Sequence, residues 1–156
     1  MVTTTDENRE RLRSAGLRIT TPRLAVLTLL AQGGHHTVDE LTDAVRARIG
    51  AVSTQAIYDV LAALVDSGLA RLIEPAGSAR RYEARVADNH HHLVCRDCGR
   101  IEDVDCAIGS APCLVPSDHR GFQLDEAEVT WWGRCPSCVA RSANGQRVAG
   151  LPEVAE

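Results

Sequence analysis

The sequence contains no lysine: all 17 of its basic residues are arginine. That bias reflects a GC-rich coding genome and carries no mechanistic weight. No apolar run approaches the roughly eighteen residues of a membrane span, and residues 1–15 are charged without an apolar h-region, so a cytoplasmic protein is expected. Net positive charge is missing too. At a formal -4 the chain offers no global case for nucleic-acid binding. No His-x-Glu occurs, and without it the zinc-deaminase signature cannot be assembled.

What is present is a concentration of metal-ligand residues. Without an export signal, the six cysteines suggest metal binding or redox chemistry before a disulfide framework. Four of them form two Cys-x-x-Cys pairs, Cys95/Cys98 and Cys135/Cys138. The two-residue spacer lets both sulfurs of a pair reach one ion, so four thiolates suit one tetrahedral zinc. Such a zinc is coordinatively full. The run His90-His91-His92 then needs a second, exchangeable metal, which points to a sensor more than to an enzyme. Residues 1–82 hold ten Arg against nine Asp/Glu, and residues 83–156 hold seven against twelve. The acidic excess falls where a cation would sit, although a solvated acidic surface explains it equally well.

The first half reads as helices. Thr21-Pro22 is expected to cap a helix carrying Leu24, Leu27, Leu30 and Ala31, ended by Gly33-Gly34. Thr37-Val38-Asp39-Glu40 is a capping box, followed by Leu41, Val45 and Ile49 on one face. Ser53 caps a third helix with Ile57, Leu61, Leu64 and Val65 inward, stopped at Gly68. Thr54, Gln55, Tyr58 and Asp59 lie on its outer face. Residues 70–73, the turn Pro75-Ala76-Gly77-Ser78 and residues 80–84 predict a hairpin. Three helices and a basic hairpin make a winged helix, in which Ser53, Thr54, Gln55 and Tyr58 would face base edges and Arg18, Arg23, Arg80 and Arg81 the phosphates. A small helical scaffold with a solvated third helix fits the same pattern.

Past residue 89 the chain reads as strands. His90 to Cys95 is a short strand in which His90 and His92 share a face and His91 points away. Residues 100–104 return beside it, carrying Glu102, Asp103 and Asp105 into the same region.

The motifs HHTVDEL, STQAIYDVLAALVDSGL, HHHLVCRDCG and CPSC together resemble the ferric uptake regulator (Fur) family of bacterial metal-dependent repressors, over about residues 12–140. The resemblance implies an α+β protein: a winged helix-turn-helix DNA-binding domain (residues 1–84) and an α/β dimerisation and metal-binding domain (residues 85–140). It also implies a homodimer on a palindromic operator. By the same resemblance, structural zinc falls to Cys95, Cys98, Cys135 and Cys138, and regulatory Fe(II) or Mn(II) to His35, Glu83, His90, His92 and Asp103. Asp88 competes with Glu83. Asp103 is similar to the peroxide-sensing branch, in which Fe(II)-dependent oxidation of His35 or His90 would release DNA. A catalase gene would be the target, and a metal-occupancy repressor of iron or zinc homeostasis is the alternative.

Cys106 and Cys113 depart from the zinc pairs, as a thiol pair or as inert cysteines. Asp118 and His119 are a weaker candidate for a third metal. Residues 1–6 and 141–156 carry no periodic pattern and are expected to be disordered. A thiol oxidoreductase built on Cys135-Pro136-Ser137-Cys138 is the competing class, although that motif belongs at a helix start within a βαβ core.

Overall fold

The computed structural model describes residues 4–86, 88, 90–105, 118–124 and 128–143. The chain divides into two compact units, Met1–Asp88 and Asn89–Glu156.

The first unit contains α1 (Thr5–Ser14), α2 (Thr21–Leu30), α3 (Val38–Ile49), α4 (Thr54–Asp66) and the hairpin strands β1 (Arg71–Ile73) and β2 (Arg81–Glu83). The apolar positions spaced along the sequence meet in one core, with Leu12, Val26, Leu27, Leu30, Leu41, Val45, Ile57, Leu61 and Leu64 all buried. Side chains of this kind each contribute about 1.5–3 kcal/mol by leaving water. The chain bends by 107° between α3 and α4, within the range of a helix-turn-helix. Gly68 supplies the left-handed step after α4 at φ +69. Gly77, at φ +72 in the third position of the Pro75–Ser78 turn, lets β1 reverse into β2.

Two helix starts differ from the sequence reading. α2 is capped by Thr20, whose extended backbone lets its hydroxyl accept from the Arg23 N–H, and Thr21-Pro22 are its first two helical residues. The segment before it is not featureless. Thr4 and Glu7 form a reciprocal capping box, so α1 begins at Thr5 and Asp6 lies in its first turn.

The second unit contains β3 (His90–Cys95), β4 (Ile101–Asp105), β5 (Thr130–Gly133) and α5 (Pro136–Ala143). Its sheet has the order β4-β3-β5. β3 is antiparallel to β4, with His92 opposite Asp103 and His90 opposite Asp105, and parallel to β5, with Cys95 opposite Gly133. α5 extends through Arg141–Ala143, so these three residues are helical where disorder was expected. Together the units form an α+β protein with a winged helix and an α/β second unit.

Candidate metal centres and nucleic-acid face

The two Cys-x-x-Cys pairs meet because of one strand pairing. β3 delivers Cys95 at its C-terminal end, and the chain turns through Gly99, at φ +70, whose N–H donates to the Cys95 carbonyl at 2.9 Å. β5 runs alongside and ends at Gly133, two residues before Cys135. α5 then starts, and the Cys138 N–H donates to the Cys135 carbonyl at 3.0 Å. All four sulfurs lie within 4.8 Å of one another, and Cys98 Sγ is 3.7 Å from Cys135 Sγ. A tetrahedron with metal–sulfur bonds of about 2.3 Å has edges of about 3.8 Å, so these thiols fit zinc with little rearrangement.

Electrostatics within the cluster are uneven. Burial opposes ionisation of Cys95, but backbone N–H groups of Cys135, Cys98 and Asp97 outweigh it and bring the thiol down to about 6. Burial, and then hydrogen bonds with the thiols of Cys135, Cys98 and Cys95, push Cys138 up to about 12. Four thiols this close share protons until a cation supports their anionic forms. Cys135 does stand at a helix start, as an oxidoreductase motif would. Its neighbours, however, are Cys95 and Cys98, and among the described residues β3 is followed by the antiparallel β4.

The histidines and carboxylates form one pair in each unit. In the first, His36 and Tyr82 make an antiparallel bridge, with N–H···O distances of 3.0 and 2.8 Å. That register sets His35 opposite Glu83, and their side chains, 5% and 3% exposed, meet with Nε2 and Oε2 3.3 Å apart. Of the two carboxylates weighed at this position, Glu83 stands against His35, while Asp88 pairs with Arg85. In the second unit, the β3–β4 register sets His92 against Asp103, Nε2 to Oδ1 at 3.7 Å. Two donors about 2.1–2.2 Å from a shared ion and 90–120° apart would be about 3.0–3.8 Å from each other, which suits both pairs.

The remaining candidates sort by strand face. The His90 and His92 rings lie edge to face, 4.9 Å between centroids, while His91 turns to Trp131 at 5.5 Å. Asp105 is opposite His90. Glu102 is opposite Leu93 and pairs with Arg100, so it belongs to the other face and does not join Asp103 as expected. His119 Nδ1 accepts from the Gly121 N–H and Asp118 pairs with Arg120. Cys106 and Cys113 lie outside the described residues. Sequence reasoning missed Glu128, whose Oε1 is 3.9 Å from His92 Nδ1. Only the β3–β5 pairing brings it there, and nothing local in the sequence announces a parallel partner nearly forty residues away.

Ser53 caps α4 by accepting from the Ala56 N–H, which leaves Gln55 and Tyr58 exposed on the first turns. Gln55 donates to Asp59 at 2.8 Å. The Arg23 guanidinium donates to the Arg18 carbonyl at 3.0 Å, keeping these two residues together before α2. On the wing, Arg80 is exposed and pairs with Glu74. Arg81 is different: only 18% of its side chain is exposed, and it turns inward to the His35 carbonyl and to Glu40.

The model of the Ferric uptake regulator family matches residues 14–131 of this sequence. The chain belongs to the ferric uptake regulator family. It is 58% identical over 129 residues to Transcriptional regulator FurA of Mycobacterium tuberculosis, covering 83% of this chain and 88% of that protein. To Peroxide-responsive repressor PerR of Staphylococcus aureus it is 33% identical over 134 residues, covering 85% and 90%. Among solved structures, the Helicobacter pylori ferric uptake regulator Fur, described as having three functional metal binding sites, superposes with a TM-score of 0.68. It is 22% identical and covers 88% of this chain and 95% of its own. The protein is thus a metal-responsive transcriptional regulator of the Fur family and not an enzyme. No single helix among the described residues is long and apolar enough to cross a membrane.

Proposed function

We propose that this chain is a cytoplasmic, homodimeric repressor whose grip on a palindromic operator follows occupancy of a regulatory Fe(II) or Mn(II) site, with zinc held structurally by Cys95, Cys98, Cys135 and Cys138. The observation that carries this reading is the matched pair of half-sites, His35/Glu83 in the winged-helix unit and His92/Asp103 in the sheet unit. His90, edge to face with His92, completes a set of three imidazoles and two carboxylates. Nitrogen and oxygen donors in that number suit Fe(II) or Mn(II) better than zinc, which favours four ligands. A bound cation supplies the positive charge that buried donors of this kind lack.

The consequence is a population shift. Metal binding favours the state of the protein that fits DNA, and metal loss favours the state that releases it. On the DNA side, Ser53 holds the start of α4, Thr54, Gln55 and Tyr58 read base edges, and Arg18, Arg23 and Arg80 meet phosphates. The expectation of peroxide sensing rested on Asp103. Identity of 58% to FurA against 33% to PerR favours response to metal occupancy instead.

The test is operator binding by protein loaded anaerobically with Fe(II) or Mn(II), before and after micromolar peroxide, alongside peptide masses. Binding that tracks occupancy with either metal and survives peroxide supports the proposal. Oxygen gained on His35 or His90 with loss of DNA from the Fe(II) form alone would restore peroxide sensing in its place.

A further inference from the structure

Arg81 sits on the wing, where a basic residue is expected to meet phosphate, yet its contacts lie on the other side. It is two residues before Glu83 on β2. Its Nη1 donates to the His35 main-chain carbonyl at 3.3 Å and lies 3.8 Å from Glu40 Oε2. Glu40 is fixed in turn, since its Oε2 accepts from the Thr37 N–H at 2.7 Å at the start of α3.

The loop that needs such a hold is the one carrying His35. Gly33 and Gly34 precede it with φ of +90 and +88, conformations that glycine adopts without strain. On the other side, the His36–Tyr82 bridge fixes the loop to β2 at a single residue pair. Within the turn, His36 Nε2 also meets the Gly33 carbonyl at 3.0 Å. The Arg81 guanidinium, bonded to the His35 carbonyl, ties that peptide directly to β2. Because Arg81 and Glu83 belong to the same three-residue strand, one side chain sets the position of the histidine relative to the carboxylate that faces it.

We propose that Arg81 is a positioning residue for the regulatory metal, holding His35 against Glu83, and not a phosphate contact. This rests on the assignment of His35 and Glu83 to that metal. Groups that orient ligands without touching the ion typically change metal affinity about 10–100-fold when removed. A phosphate contact behaves otherwise: its loss weakens DNA binding across sequences and lowers the salt slope by about one. The two roles therefore give separate readouts.

The experiment compares wild type, Arg81→Gln and Arg81→Lys. Mn(II) affinity is measured from the EPR signal of the free ion, and affinity for a duplex selected by the wild-type protein is measured at saturating Mn(II) across salt concentrations. Zinc content and thermal melting serve as folding controls. For Arg81→Gln the expected result is a loss of Mn(II) affinity of about tenfold or more, with DNA affinity at saturation and its salt slope unchanged. Arg81→Lys keeps the charge but loses the planar fork, so it should also lose Mn(II) affinity while any phosphate contact survives. It provides the reading if the Gln variant fails the folding controls. Mn(II) affinity within about threefold of wild type in the folded variants overturns the proposal, whatever DNA binding does. If wild type itself binds Mn(II) but its DNA affinity ignores it, the proposed function fails while the role of Arg81 at the metal is still measured.

Discussion

The two sets of donors differ most in where the chain carries them. All four cysteines belong to the second unit, and one strand pairing, β3 with β5, is enough to gather them. The histidine and carboxylate donors are divided, one pair on each unit, and each pair is set by its own strand register. A site contained in one unit stabilises that unit. Donors divided between units do not stabilise either one alone, which is why the proposed function gives them to regulation. On this difference the proposed function assigns the cysteines to a structural metal and the histidines and carboxylates to a regulatory one.

The comparison is broken most severely by Cys135→Ser. One zinc per chain should fall to near zero, and the second unit should lose its cooperative melt, because structural zinc contributes on the order of 10 kcal/mol to folding in small domains. Zinc analysis with circular dichroism checks it; a variant that keeps its fold without zinc would erase the distinction. The zinc-free, reduced protein should also depend on pH in a defined sense. Cys95 is held near 6 when folded, below its ordinary 9.0, so it adds stability that is complete above pH 9 and is lost as pH falls through 6. Cys138, held near 12, contributes the opposite way: its share is complete below pH 9 and is lost as pH rises toward 12. Thiolate absorbance should therefore grow first near pH 6 and last toward pH 12.

His92→Ala comes next. It should keep its zinc and its melt yet lose metal-dependent operator binding by about 100-fold, as expected when a ligand is removed and its partner carboxylate is left behind. Equal loss of zinc would mean that the two sites are not separable. Gln55→Ala leaves both metals alone and should cost about 1–3 kcal/mol of operator affinity, confined to particular base pairs in a binding titration against operator variants. The smallest effect belongs to Thr4→Ala. Loss of the α1 capping box should lower the melt by about 1 kcal/mol with metal and DNA binding unchanged.

Legibility in the sequence followed the range of the contacts. Helices α3 and α4, the wing and the alternation of His90 and His92 are set by local capping and periodicity, and they could be read directly. Helix α1 was readable too, since Thr4 and Glu7 carry the capping-box spacing, but its single inward leucine, Leu12, gives no periodic stripe. Thr20 and Thr21 are equivalent caps on paper, and only backbone conformation separates them. The face on which Glu102 lies required the β4 register, and Glu128 beside His92 required a parallel strand far along the chain. The role of Arg81 was hidden for a related reason. Composition places an arginine on a wing, but the bridge between His36 and Tyr82 decides which way it turns.

The parallel strand has one more consequence, for what chain length costs. β5 returns to β3 and closes a long chain segment between Cys98 and Cys135, with the cysteines as its clasp. Closing a loop costs entropy only as the logarithm of its length, about 0.6 kcal/mol for each doubling. The clasp therefore depends on the pairing of β3 with β5 and only weakly on the number of residues between the two cysteine pairs.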